Sequence, residues 1–266
     1  MTDDEETQVQ PAPPTHPELL RETLSRELAK LGLQPSEFAG HRCAGSCDAM
    51  VSRRGDYCDD CATKQRHELR QNLLRTARLT LPDWPWCRFN DPRFKKCTSK
   101  IGEAVATADG WRPDKGSILF LGPTGAGKTI TAVALAFKIL ERAVDLEVPE
   151  SFVRLAKGLR FTVGRELSSA RRIFPMGGGE PPPILEAQDA TLLVLDEIGY
   201  EMTKTGDGAP DTAIFDVLDA RYRAARPVVV TSGLTKAKFA QRYGAAMMRR
   251  LEEVGQIVDL HARARA

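Results

Sequence analysis

The chain has 266 residues, of which 42% are hydrophobic and 28% charged, and its net charge is +2. That length supports one core-bearing α/β domain plus a smaller module. The near balance of charge excludes a uniformly basic coat for nucleic acid, so any basic surface must be local. No apolar run reaches the roughly 18 residues of a membrane-spanning helix.

The N-terminus, "MTDDEETQVQPAPPTHPE", is acidic and proline-rich. It lacks the basic start and apolar core of a secretory signal, so the cytosol is the expected compartment. Thiols stay reduced there, and paired cysteines more often bind metal than form disulfides. Residues 1–16 read as a disordered tail. "HPELLRETLSRELAKLG" then reads as a helix, with Pro17 in its first turn, Gly32 as its cap, and Leu20, Leu24, Leu28 and Leu31 on one face.

Next comes "CAGSCDAMVSRRGDYCDDC", which places Cys43, Cys47, Cys58 and Cys61 as C-x3-C followed by C-x2-C. Each pair can sit on a tight turn and offer two thiolates, and two such turns close a tetrahedral Zn²⁺ site. Four ligands leave no open position, so the site reads as structural. A stretch of about 20 residues cannot bury a useful core, so metal would supply the folding energy. His41 is a substitute ligand that two complete pairs make unnecessary. Cys87 and Cys97 have no matching spacing and read as ordinary buried thiols.

Residues 63–78, "TKQRHELRQNLLRTAR", read as a helix carrying Lys64, Arg66, Arg70, Arg75 and Arg78 against one acid, Glu68. With Arg53 and Arg54 these could contact phosphates, but a solvated basic face explains them equally well. "LPDWPWCRFNDPRF" reads as an aromatic linker. The expected division is therefore a tail 1–16, a partner-docking module 17–80, a linker 81–100 and a large domain 101–266.

Beyond residue 100, short apolar runs alternate with helical stretches. "SILFL" (117–121), "LRFTV" (159–163), "TLLVLD" (191–196) and "RPVVVT" (226–231) have the length of buried strands, and "GQIVDL" (255–260) is a candidate fifth. That alternation predicts a parallel sheet flanked by helices. After the first strand, Gly122, Pro123, Thr124, Gly125, Ala126, Gly127, Lys128 and Thr129 fit G-x-x-x-x-G-K-[ST] and open a helix. Glycines let backbone N–H groups turn toward phosphate oxygens, and the helix directs its positive end at the same anion. Lys128 can reach the terminal phosphates of ATP, and Thr129 can hold Mg²⁺. "TLLVLDEIGYE" ends its strand in Asp196 and Glu197. Asp196 would organise the Mg²⁺ shell and Glu197 would polarise an attacking water, which points to hydrolysis.

In "GPTGAGKT", "RFTVGRELSSARR", "LLVLDEIGYE", "VLDARYRAARPVVVTSGLT" and "YGAAMMRRLEEVGQIVDL", residues 85–260 resemble the AAA+ ATPases of the DnaC/DnaI helicase-loader and IstB group. The resemblance implies an ATPase domain at 101–266 without the helical lid of many AAA+ proteins, and self-association into an arc or ring. It makes Arg250, beside Arg249, the arginine finger that reaches a neighbour's nucleotide. Arg221 is a weaker candidate for an interface or ligand contact. The family's polar sensor, usually Asn, falls at Gly233; Thr231 and Ser232 are the substitutes, and Gly233→Asn is expected to speed a slow hydrolysis. DnaI-type loaders carry an N-terminal zinc module that docks on the replicative helicase, which this chain resembles in plan. The expected function is thus an ATP-dependent helicase loader acting on single-stranded DNA, with slow, partner- or DNA-stimulated turnover. The alternatives are an IstB-like transposition regulator and a nucleotide-gated adaptor with little turnover.

Overall fold

The computed structural model describes residues 41–45, 47–51, 56–175, 177–201 and 212–261. The tail, the helix expected over 17–32, Arg53, Arg54 and residues 202–211 lie outside the described residues. The chain divides into two compact units, with the break between Gln65 and Arg66.

In the first unit, β1 (His41–Arg42) and β2 (Met50–Val51) pair antiparallel, and α1 (Asp59–Leu79) begins. Asp59 and Asp60 in the first turn of α1 complement the positive end of the helix.

The second unit is built on five parallel strands: β3 (Ser117–Leu121), β4 (Leu159–Val163), β5 (Leu192–Ile198), β6 (Val228–Ser232) and β7 (Gly255–Asp259). They lie in the order β4-β5-β6-β3-β7. All the apolar runs read as strands, "GQIVDL" included, enter this sheet. Because successive side chains point to opposite faces, each central strand feeds two cores. Ile118, Phe120, Leu192, Val194 and Val229 face one core with Ala132, Leu135 and Ile139 of α4 (Lys128–Val144). Leu119, Leu121, Leu193, Leu195 and Val230 face the other with Ile214 and Val217 of α8 (Ala213–Arg223) and Leu251 of α10 (Ala245–Glu253). Between them in chain order come α2 (Pro92–Cys97), α3 (Gly102–Gly110), α5 (Glu150–Lys157), α6 (Gly164–Ile173), α7 (Pro182–Asp189) and α9 (Lys236–Tyr243). Burial on both faces is why the central strands β3, β5 and β6 are largely apolar runs, whereas the edge strands β4 and β7 carry polar residues and are half-buried.

Residues 81–100, expected as a linker, pack into the first of these cores through Leu81, Cys87 and Phe94, with Trp84, Trp86 and Phe89 against it. The prolines break helical periodicity, but the aromatic rings carry more apolar area than a solvated connector would keep exposed. Cys87 is fully buried, its S–H donates to the Ile130 carbonyl (2.9 Å), and burial pushes its thiol up to about 12. Cys97, expected to be buried as well, is exposed.

Arg221 also departs from expectation. Its guanidinium is fully buried and donates to the carbonyls of Ala187 (2.8 Å), Ala190 (2.7 Å) and Pro227 (2.6 Å). It ties the ends of α7 and α8 to the start of β6 and is closed off from solvent. Among the described residues, no helix is long and apolar enough to cross a membrane.

Candidate nucleotide site and cysteine cluster

β3 ends at Leu121 and the chain turns through the glycine-rich loop into α4. Gly125 and Gly127 have φ of 79° and 85°, a region that costs other residues energy, and this lets the loop double back. The Lys128 ammonium lies inside the turn and donates to the carbonyls of Gly122 and Pro123, each at 2.9 Å. Half-buried, it is not the solvent-facing lysine that an open loop would give. Burial lowers its pKa, and the nearby Asp196 and Glu197 carboxylates partly restore it.

The second wall comes from the end of β5. Leu195 pairs with Val230 and Ile198 with Ser232, so one extra residue stands on β5 in a bulge. The bulge sends Asp196 and Glu197 to different places. Asp196 is 4% exposed and accepts from Thr129 Oγ1 (3.0 Å) and Thr231 Oγ1. Glu197 adopts φ 53° and is exposed, its backbone N–H held by Thr231 Oγ1 at 2.9 Å. Burial raises the pKa of Asp196, and the two hydroxyl donors offset part of that rise.

The Thr129–Asp196 pair is the hydroxyl and carboxylate that a Mg²⁺-binding phosphate site requires. It is already in contact, with Lys128 and Glu197 lining the same cleft of about 420 Å³. Gly122 to Thr129, Asp196 and Glu197 therefore converge, and the residues fit Mg²⁺ and a nucleotide triphosphate. Cys97, which the sequence marks only as an ordinary thiol, and Tyr200 line the cleft too; neither belongs to the loop's spacing pattern.

Arg250 is elsewhere. It pairs with Asp219 and lies over the Tyr222 ring, 5.2 Å from its centroid. α10 leads into the N-terminal end of β7, whereas the phosphate loop follows the C-terminal end of β3. The strands are parallel, so the two lie toward opposite ends of the sheet. Arg249 is more exposed and pairs with Glu253 at 3.5 Å.

Neither sensor substitute is free. Thr231 and Ser232 are fully buried; Thr231 is occupied by Asp196 and Glu197, and Ser232 Oγ donates to the Ile198 carbonyl at 2.7 Å. Sequence reading missed Glu201. It is nearly buried, accepts from Arg242 (2.6 Å), Tyr243 and the Gly199 N–H (2.8 Å), and so fixes the turn after β5 to α9. Its signal, one acid among several in "DEIGYE", is too weak to stand out.

In the first unit, the Sγ atoms of Cys43, Cys47, Cys58 and Cys61 all lie within 4.8 Å of one another. Zn–S bonds of about 2.3 Å in a tetrahedron put sulfurs roughly 3.8 Å apart, close to the 3.4 Å between Cys47 and both Cys58 and Cys61. The first pair sits in the β1–β2 hairpin. The second stands at the start of α1 rather than on a second tight turn. The backbone N–H groups of Cys58 (3.2 Å) and Gly45 (3.3 Å) donate to Cys43 Sγ and bring its pKa to about 7, whereas the neighbouring thiols push Cys61 up to about 12. Four sulfurs this close cannot all ionise without a cation between them. The cluster fits a structural Zn²⁺. The side chain of His41 lies outside the described residues.

A parallel sheet whose first strand runs into a phosphate loop, with Asp-Glu ending the strand two places away, defines a P-loop nucleotide-binding protein. The chain belongs to the family of IstB-like ATP binding proteins, which it matches over residues 61–258. It is 27% identical over 129 residues to a Sinorhizobium fredii protein named as an insertion sequence ATP-binding protein; the match covers 48% of this chain and 38% of that relative's length. Among solved structures, it is similar to the DnaC helicase loader at 20% identity and TM-score 0.44, covering 63% of this chain and 98% of the other. The structure of DnaI is similar at 18% identity and TM-score 0.44, covering 60% and 82%.

Proposed function

We propose that this chain is a Mg²⁺-dependent ATPase that assembles with copies of itself on single-stranded DNA and delivers a partner protein there. The observation carrying the reading is the contact of Thr129 with Asp196 beside Lys128 and an exposed Glu197. Backbone N–H groups from Gly122 to Thr129 would cradle the phosphates. Lys128 would leave the Gly122 and Pro123 carbonyls for the terminal phosphates, and Glu197 would take a proton from an attacking water. Mg²⁺ held by Thr129 and Asp196 would supply charge neutralisation on the phosphate oxygens. Zn²⁺ at Cys43, Cys47, Cys58 and Cys61 would hold the first unit as the partner-docking module. The cytosol is the proposed compartment, and turnover is slow until partner or DNA is present.

The placement of Arg250 toward the end of the sheet opposite its own phosphate loop supports a finger acting across a subunit boundary. In the isolated chain Asp219 holds it, so assembly would have to release it. Two partners fit this plan. A replicative helicase is favoured by the four-cysteine module and its resemblance to helicase-docking loaders. A transposase is favoured by the family match and by the insertion-sequence relative.

The experiment mixes Lys128→Ala with Arg250→Ala protein. Each alone is expected to lose ATP turnover, Lys128→Ala by about a hundredfold or more, and the mixture to recover part of it. Lys128→Ala turnover equal to that of the unaltered protein would overturn the ATPase reading. A mixture that assembles yet stays inactive would remove Arg250 from the site. Pull-down of the intact chain from its own cells, read by mass spectrometry, separates helicase from transposase.

A further inference from the structure

Position 233, at the end of β6, faces the phosphate cleft without a side chain. Its backbone does not require glycine, since its φ is not in the left-handed region. The space does. A Cβ at Gly233 would lie 1.9 Å from the Tyr200 Oη, 2.7 Å from its Cζ and 2.9 Å from its Cε2. Contacts that close with a ring are not accommodated without moving it. Gly233 and Tyr200 are therefore complementary: the ring lies across the end of β6 because no side chain is there.

The ring is also placed for use. Tyr200 Oη is 3.5 Å from Thr124 Oγ1 of the phosphate loop, and the side chain lines the cleft with Lys128, Thr129 and Glu197. Its neighbours are fixed on both sides, because the Gly199 N–H and Arg242 both bind Glu201. Yet the residue itself is 62% exposed, so packing alone does not explain where the ring lies. The hydroxyls of Thr231 and Ser232 are buried and occupied, so among the described residues the Tyr200 phenol is a side-chain donor on this side of the cleft that can turn to a ligand.

We propose that the Tyr200 hydroxyl donates a hydrogen bond to the terminal phosphate of ATP, in the place that a polar side chain at 233 would otherwise fill. This rests on the nucleotide reading above and makes Tyr200 the residue that distinguishes triphosphate from diphosphate. It also reverses the expectation for Gly233→Asn. In the native background Asn collides with the ring, so that change alone does not speed hydrolysis.

The test measures binding of a non-hydrolysable ATP analogue and of ADP, both with Mg²⁺, by calorimetry on the full chain. Tyr200→Phe keeps the ring and removes the donor. Its preference for the triphosphate is expected to fall about tenfold, the worth of one hydrogen bond to a charged group, with ADP affinity and melting temperature unchanged. Tyr200→Ala should lose the same preference, and adding Gly233→Asn to it should restore most of the loss, because the cleared space accepts the amide. A ratio that stays within twofold in Tyr200→Phe overturns the role of Tyr200 while leaving the nucleotide site standing. Failure of Asn to restore the ratio overturns the shared place. If the unaltered protein binds neither nucleotide, the nucleotide reading falls and this proposal with it.

Discussion

The two units hold their chemical groups by different means. Around the phosphate loop, Asp196 stands at the end of a strand whose Leu192, Leu193, Val194 and Leu195 are fully buried, with apolar cores on both faces. The site is held by contacts between protein groups: Thr129 donates to Asp196, and Lys128 to the carbonyls of the loop. Around the cysteines, the described residues supply a hairpin of two-residue strands and one helix start, and Cys43 is the buried apolar residue of that unit. Among the described residues of that unit, the four sulfurs stand where an apolar core would otherwise be. A large domain can offset the cost of burying a charged carboxylate with packing, whereas a module with little apolar core is expected to draw its stability from a bound metal.

Removing metal tests that difference at its largest. Chelation under reducing conditions is expected to unfold residues of the cysteine unit completely, read as proteolysis confined to about residues 40–65. The nucleotide domain should still melt cooperatively at its former temperature. Elemental analysis without zinc, together with four freely titratable thiols, would show that the cluster is held by other means.

The next largest effect concerns Arg221, a fully buried cation of the larger unit. Burial pushes its pKa down to about 9, still well above neutral, and carbonyls of four residues in two segments accept from it. Arg221→Ala removes the donor from the Ala187 and Ala190 carbonyls, while Pro227 keeps the Leu193 N–H; each buried carbonyl left unpaired costs about 1–3 kcal/mol. At roughly 2–4 °C per kcal/mol for a domain of this size, melting should fall by about 10 °C or more. Arg221→Lys should not restore it, since one ammonium cannot reproduce the planar fork. A melting temperature unchanged by Arg221→Ala, with self-association lost, would return Arg221 to an interface.

The smallest effect has the opposite sign. Burial holds the pKa of Asp196 above its unfolded value. The folded state then binds more protons than the unfolded state as pH rises between those two values. Stability from this group is present at low pH and lost as pH rises through the folded pKa, so at neutral pH the ionised carboxylate is a net cost. Asp196→Asn keeps an oxygen for Thr129 and Thr231 and removes the charge. The nucleotide-free protein is expected to melt a few degrees higher near pH 7, with the gain shrinking as pH falls. The added stability from Mg²⁺ and ATP should disappear. A lower melting temperature in Asp196→Asn would mean that the carboxylate is better solvated than its burial indicates.

Much of this protein was determined by its sequence. The strand-loop-helix around Lys128, the apolar run ending at Asp196 and the paired cysteines are local patterns, and each carries its chemistry in residue spacing that does not depend on distant contacts. The sheet followed from the same source, because strands buried on both faces are continuously apolar. What lies between those patterns was decided by tertiary structure. The prolines of 81–100 read as a break, and only packing made that stretch part of the core. Arg221 and Glu201 look like surface charges until the carbonyls and N–H groups around them come together from separate elements. Gly233 read as a missing sensor. Its meaning came from Tyr200, thirty-three positions earlier in the numbering, because the space beside a glycine is filled by whatever the fold brings there, and sequence spacing holds no record of it.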